Sequence, residues 1–160
     1  MQFRIGSGFD VHRLADGLPL VLGGVRIPFE KGLEGHSDAD VLVHAVIDAL
    51  LGSLALGDIG SHFPDSDPRY RGINSMVPLK QAWHLVRGKN FQLGNLDSIL
   101  IAESPKLSPF LDAMRSNLAE SLECKKDLIS IKATTTEKLG FTGRGEGIAA
   151  KSVVLLRRTS

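Results

Sequence analysis

Phe3-Arg4-Ile5-Gly6-Ser7-Gly8-Phe9-Asp10-Val11-His12 opens the chain and reads as an extended strand, predicted over residues 3–13. Residues two apart on a strand share a face, so Asp10 and His12 project together, one carboxylate beside one imidazole. A third candidate ligand, His44, falls in a segment with helical character. Two histidines and one aspartate form a three-ligand set that leaves a fourth position open, the pattern of a catalytic zinc.

Reading outward, Ala15-Asp16-Gly17 is a turn, and Leu20 to Ile27 is a short hairpin about Gly23-Gly24. Pro28 to Gly35 reads as loop. Ser37, with Asp40 in the first turn, is the expected N-cap of a helix running to about Leu56. Gly57 to Asn74 is a long polar stretch whose Asp-Pro content, Phe63 and Tyr70 indicate an ordered binding loop. A second helix is expected from Ser75 to Arg87, with Pro78 in its tolerant first turn. Then follow a strand from Phe91 to Ala102, a loop at Glu103–Lys106 and a helix from about Pro109 to Leu122. Strands near Leu128–Thr134 and Ile148–Leu156 flank a glycine-rich connection. These elements predict one domain over residues 1–160, of mixed α+β class, with a single mixed β-sheet and helices packed on one face.

Nineteen basic residues against eighteen acidic ones leave no whole-chain field to attract nucleic acid or an acidic membrane surface. The single cysteine, Cys124, forbids an internal disulfide and fits a reducing compartment, where it reads as a packed thiol. No basic segment followed by an apolar core precedes the first strand, so the expected location is the cytoplasm, or a plastid-type organelle if the source is eukaryotic. The apolar stretch from Val41 to Leu56 is broken by His44, Asp48 and Ser53, which argues against a membrane span.

Asp40, His44 and Asp48 lie four residues apart along the first helix, amid residues that are otherwise almost all apolar. Burying such groups costs several kcal/mol unless they are paired or bind metal. A hydrogen-bonded core histidine is the simpler alternative for His44. His36-Ser37 at the helix entrance can donate to a phosphate, or merely end a loop and cap a helix. The stretch from Asp58 to Asp67 can hold sugar hydroxyls or a cation, or simply form turns. The densest segment is Lys132-Ala133-Thr134-Thr135-Thr136-Glu137-Lys138-Leu139-Gly140-Phe141-Thr142-Gly143-Arg144-Gly145-Glu146-Gly147. Its threonines offer donors to phosphate, and Glu137 can ligate a hard cation of the magnesium kind. No Walker loop is present; the alternative here is a strand and a flexible turn.

Taken together, Gly8–His12, Gly24–Pro28, His36–Asp38, Leu56–Gly60, Phe63–Asp65, Pro105-Lys106 and Lys132–Gly147 resemble the 2-C-methyl-D-erythritol 2,4-cyclodiphosphate synthase family of the non-mevalonate isoprenoid (terpenoid) pathway, along essentially the whole chain. The resemblance implies that Asp10, His12 and His44 bind zinc (Zn2+), one per subunit, and that His36 and Thr135 stabilise the transition state. It implies that Glu137 binds a second divalent cation, magnesium or manganese (Mg2+ or Mn2+), together with substrate. Substrate contacts are implied for Asp10, Val11, His12, His36 and Ser37. Asp58 and Gly60, with Phe63, Pro64, Asp65, Ser66 and Asp67 nearby, are expected at the methylerythritol portion, and Ile59 is expected among the substrate contacts. Ala102, Glu103, Ser104, Pro105, Lys106, Leu107 and Ser108, with Thr134, Thr135, Thr136 and Glu137, are expected at the cytidine diphosphate; Phe141 and Arg144 complete the set. The same resemblance implies a homotrimer with sites between subunits and a cavity on the threefold axis, near Phe9 and Arg144, that can hold an isoprenoid diphosphate. No nucleic acid and no membrane partner is expected. Glu103 is a departure, since that place is often uncharged in the family.

The implied reaction is a phosphorus–oxygen lyase step. In 4-diphosphocytidyl-2-C-methyl-D-erythritol 2-phosphate, the 2-phosphate attacks the β-phosphorus, closes a cyclic diphosphate and expels CMP. An anionic nucleophile needs no activating base, which accounts for the lack of a nucleophilic triad. A metal-dependent nucleotide diphosphate hydrolase and a non-catalytic trimer binding isoprenoid diphosphate are the competing readings.

Overall fold

The computed structural model describes residues 2–159. Its backbone is a five-stranded sheet built from β1 (Phe3–Asp16), β4 (Lys31–Leu33), β5 (Phe91–Ile101), β6 (Ile129–Thr134) and β7 (Gly147–Arg158), in the order β4-β1-β7-β5-β6. All pairings are antiparallel except β5–β6, which is parallel and joined through α4 (Leu111–Ser121). The sheet is therefore mixed, and the class is α+β as expected. It is not single: β2 (Leu20–Leu22) and β3 (Val25–Ile27) form a separate two-stranded ribbon. Two further expectations are corrected. The first strand runs on through Ala15 and Asp16 because Leu14, Ala15 and Asp16 pair with Leu33, Gly32 and Lys31. That pairing makes β4 a strand inside what reads as the Pro28–Gly35 loop.

Alternation sorts the sheet into two faces. Along β7, Ile148, Ala150, Ser152, Val154 and Leu156 are buried, while Lys151 and Val153 are exposed. The buried face lies under α1 (Val41–Ser53), whose residues are buried on nearly every side because β1, β7 and α3 (Met76–Gly88) all pack against it. Gly6 and Gly8 make this close approach possible. A Cβ on Gly6 would stand 1.9 Å from the Ala49 carbonyl oxygen, and one on Gly8 equally close to that of Ala45. The Ser98 and Ser152 hydroxyls, facing one another across β5 and β7, satisfy each other within the core at 2.8 Å.

Among the described residues, no helix longer than the single turn Gly140–Gly143 packs on the opposite face. Ile5, Phe9, Val11 and Val153 project from it and stay exposed. No helix among the described residues is long and apolar enough to cross a membrane.

Candidate active site

Strand alternation continues past the glycines, so Asp10 and His12 emerge on the helix face just where α1 begins. His44 sits in the first turn of α1 and meets them there. Asp10 Oδ2 lies 3.0 Å from His12 Nε2 and 3.0 Å from His44 Nδ1, and the two imidazole nitrogens are 3.1 Å apart. Tetrahedral ligands at about 2.1 Å from a zinc ion are separated by about 3.4 Å. The three atoms thus stand at nearly the spacing that such an ion requires, and both donor types suit zinc. His12 Nδ1 faces the Glu34 carbonyl oxygen at 2.9 Å, which leaves Nε2 free to ligate. Burial works against the Asp10 charge, but hydrogen bonds and charge from His12 and His44 outweigh it and hold the carboxyl at about 2. Burial likewise lowers His12, and its contact with Asp10 more than compensates, so its value lies above the ordinary one.

The polar line along α1 does not act as a unit. Asp40, fully buried, is the N-cap: its carboxylate accepts from Val43 N at 3.1 Å, Gly23 N at 2.9 Å and Gly24 N at 2.7 Å. It therefore ties the β2–β3 turn to α1, and burial pushes its carboxyl up to about 6. Ser37, the expected cap, lies three residues too early. Its hydroxyl oxygen instead accepts from Ala39 N at 3.2 Å. Asp48 receives the Ile59 N–H at 2.7 Å and thereby anchors the loop beyond α1. The helix accordingly ends at Ser53, short of Leu56.

A cavity of about 380 Å³ opens over the cluster. Asp10, His12, His36, Ser37 and His44 line it on one side, and Ile59, Gly60, Phe63, Pro64 and Asp65 on the other. His36 Nε2 is buried without a protein partner. The supposed loop contains α2 (Ile59–His62), capped by Asp58 through Ser61 N at 2.8 Å, and a short 3-10 turn at Pro68–Tyr70 capped by Asp67. Asp58, Ser66 and Asp67 thus lie outside the cavity lining, and Val11 faces the bare side of the sheet. Tyr70, one of the two aromatics that mark the 57–74 stretch as a binding loop, lines the cavity, as do Ile73 and Ser75, which no sequence signal singled out.

The remaining expected residues stand elsewhere. Val11 pairs with Ala149, Ala149 with Ile101, and Ile101 with Thr134, which puts three strand spacings, about 14 Å, between β1 and β6 at this level. At that far edge Ala102 N donates to the Thr134 carbonyl at 3.0 Å, joining the 102–108 and 134–137 segments. The Glu137 N–H donates to Thr135 Oγ1 at 3.3 Å, and Lys138 N donates to Glu103 Oε2 at 3.4 Å. Glu137 and Lys138 both adopt left-handed backbone, with φ of 53° and 63°. Leu107 is buried in the core, Ser108 opens a 3-10 turn, and Lys106 is exposed. Phe141, in α5 (Gly140–Gly143), lines a smaller hollow beside Val11 and His12, while Arg144 is paired with Glu146 at 2.9 Å. One chain therefore sets the Asp10–His12–His44 cluster and the Thr134–Glu137 segment at separate places on the same sheet.

Residues 3–157 match the YgbB family. A protein of Bacillus cytotoxicus named 2-C-methyl-D-erythritol 2,4-cyclodiphosphate synthase is 57% identical over 157 residues, covering 98% of this chain and 99% of its own. A Geobacillus protein of the same name is 58% identical over the same extent. Among solved structures, the bifunctional IspDF from Campylobacter jejuni superposes with a TM-score of 0.95 at 48% identity, and covers 99% of this chain, which spans 43% of that longer one. The CDP-bound form of a 2C-methyl-D-erythritol-2,4-cyclodiphosphate synthase gives 0.89 at 41% identity, covering 96% of this chain and 100% of its own.

Proposed function

The chain belongs to the YgbB family, and from that premise we propose that it converts 4-diphosphocytidyl-2-C-methyl-D-erythritol 2-phosphate into 2-C-methyl-D-erythritol 2,4-cyclodiphosphate and CMP. The observation that carries the reading is the Asp10–His12–His44 cluster on the floor of a cavity, in a chain 57–58% identical to proteins named as synthases over nearly their whole length. The 2-phosphate of the substrate attacks the β-phosphorus, and the bond to the CMP oxygen breaks. Every atom of the substrate ends in one of the two products, and no water is consumed.

Asp10, His12 and His44 would hold zinc, and Glu137 a magnesium or manganese ion brought with the substrate. Bound there, these cations supply positive charge at the diphosphate, where two phosphates must approach one another. The chain's own groups do the rest. His36 offers a buried Nε2 with no protein partner to satisfy, and Thr135 a hydroxyl at the end of β6. Both can donate to phosphate oxygens as charge builds on them. Ile59 to Asp65 wall the methylerythritol side, and the 102–108 segment serves the cytidine side. Folding the substrate back between rigid walls accounts for much of the barrier, since positioning contributes roughly 7–11 kcal/mol in favourable cases.

The two halves meet if the chain assembles as a homotrimer, with each site shared between neighbours. The uncovered sheet face, with Ile5, Phe9, Val11 and Val153 exposed, supports such an assembly. Its axial region, near Phe9 and Arg144, would take an isoprenoid diphosphate. Residues 1–160 act as one catalytic domain in this reading.

Turnover of the authentic substrate with zinc and magnesium, in heavy-oxygen water, tests the proposal. The expected products are CMP and an unlabelled cyclic diphosphate. An open-chain bisphosphate carrying solvent oxygen would instead identify a hydrolase.

A further inference from the structure

Each histidine of the cluster has a second ring nitrogen, and the two are satisfied differently. His12 Nδ1 meets a main-chain carbonyl, that of Glu34. His44 Nε2 points away from the cluster into a junction of side chains, 2.9 Å from Ser75 Oγ and 3.2 Å from Ser37 Oγ. Ser75 is fully buried at the start of α3, and its hydroxyl donates to Asp38 Oδ1. An ionised carboxylate only accepts, so the serine hydrogen is committed to Asp38. What remains on Ser75 Oγ is a lone pair, and it faces His44 Nε2. A serine in this state favours hydrogen on Nε2, which leaves Nδ1 bare toward Asp10 and His12.

The carboxylate at the far end is itself fixed by main chain. Asp38 Oδ2 accepts from Ser75 N at 3.0 Å, Oδ1 accepts from Asp40 N at 3.2 Å, and Asp38 N donates to the Ile73 carbonyl at 3.1 Å. Ser37 has no such arrangement. Its oxygen accepts from Ala39 N, and no carboxylate claims its hydrogen, so it serves either tautomer of His44.

We propose that Asp38 and Ser75 form a positioning relay that sets the tautomer and ring orientation of His44 for metal binding. The inference rests on reading the Asp10–His12–His44 cluster as a metal centre. Ser75 also lines the cavity, and the Asp38–Ser75 pair links the entrance of α1 to the start of α3, so the relay couples the packing of two helices to one ligand.

Zinc competition against a chromophoric chelator, on the full-length protein in its native assembly, tests the relay. Outer partners of metal-bound histidines are worth about 10–100-fold in affinity, and Ser75→Ala is expected to weaken zinc binding by about that factor. Asp38→Asn should do the same, and the double variant should be no weaker than either single one, because both cut one chain of contacts. Ser37→Ala should leave the affinity near that of wild type. Metal-free Ser75→Ala loses a buried hydroxyl and should melt somewhat lower in either case, so zinc affinity is the deciding readout, since a purely structural role would leave it unchanged. Ser75→Ala with wild-type zinc affinity overturns the relay, as do additive losses in the double variant. If Asp38→Asn fails to fold, Ser75→Ala alone decides. A wild-type protein that takes up no zinc removes the metal centre and the relay together, so the two failures are distinguishable.

Discussion

Gly8→Ala is the sharpest test of how the fold positions the cluster. The added methyl would lie 1.9 Å from the Ala45 carbonyl oxygen and 2.8 Å from Ala49 N, both helix backbone with no flexible end to yield. Ordinary contact begins at 3.4 Å, so α1 must retreat from β1 by about 1.5 Å. His44 neighbours Ala45 and would move with it. The separations of 3.0 Å and 3.1 Å that join His44 to Asp10 and His12 would then open beyond the spacing of tetrahedral zinc ligands. Overpacking of this kind costs about 3 kcal/mol, the upper end of the usual range, because the clash is with main chain. For a chain of this length that lowers the melting midpoint by roughly 6–12 °C. Thermal unfolding of the metal-free protein at one fixed concentration reads the first effect, and zinc competition reads the second. Gly52→Ala is the control, because a Cβ there meets nothing closer than Ser7 O at 3.9 Å. It should be neutral or gain up to about 1 kcal/mol from helix propensity. A Gly8→Ala protein that melts within about 2 °C of wild type and binds zinc normally would refute the close-approach reasoning.

Three further outcomes are expected. Asp40→Ala strands the Gly23, Gly24 and Val43 N–H groups and should cost about 3 kcal/mol or more in chemical denaturation; a loss below about 1 kcal/mol would show that water replaces the carboxylate. Because burial lifts the Asp40 carboxyl from 3.8 to about 6, the folded chain holds a proton that the unfolded chain releases. Its contribution is fully present below 3.8 and is lost as pH rises through about 6, so metal-free wild type should lose stability relative to Asp40→Asn over that interval; parallel denaturation curves would contradict this. Ile5→Glu puts a charge on the uncovered sheet face, and sedimentation should show smaller species with little turnover although the cavity lining is untouched; an active trimer would move the interface elsewhere.

The legible parts of this chain are those written in local alternation. Gly6, Gly8, Asp10 and His12 share one face of β1 because a strand repeats every two residues, and that fact alone brings carboxylate and imidazole together. His44 was legible because a polar group in an almost wholly apolar helix needs a partner. The rest depends on contacts remote in sequence. Asp40 looks like part of a polar line, yet its partners Gly23 and Gly24 come from a distant turn. Lys31–Leu33 has no periodicity to announce a strand and becomes one only because β1 runs past Leu14 to meet it. Ser75 carries no motif, and its role emerges only when α3 is set against the Asp38 loop. Nor does spacing along the chain reveal that Thr134 stands across two intervening strands from Val11.

That lateral separation has a genetic consequence. If the chain forms the proposed trimer with each site shared between neighbours, a chain crippled at Asp10 and a chain crippled at Thr135 should each be inert, since every site in either pure ring would lack one half. In a mixed ring of three, whichever type is in the majority, one junction unites an intact Asp10 side with an intact Thr135 side. Co-expression of the two dead alleles should therefore restore about a quarter of wild-type activity at equal mixing, one working junction in each mixed ring. In that assembly the sheet's width would make the two defects complement in trans, while the same two defects in one chain never could.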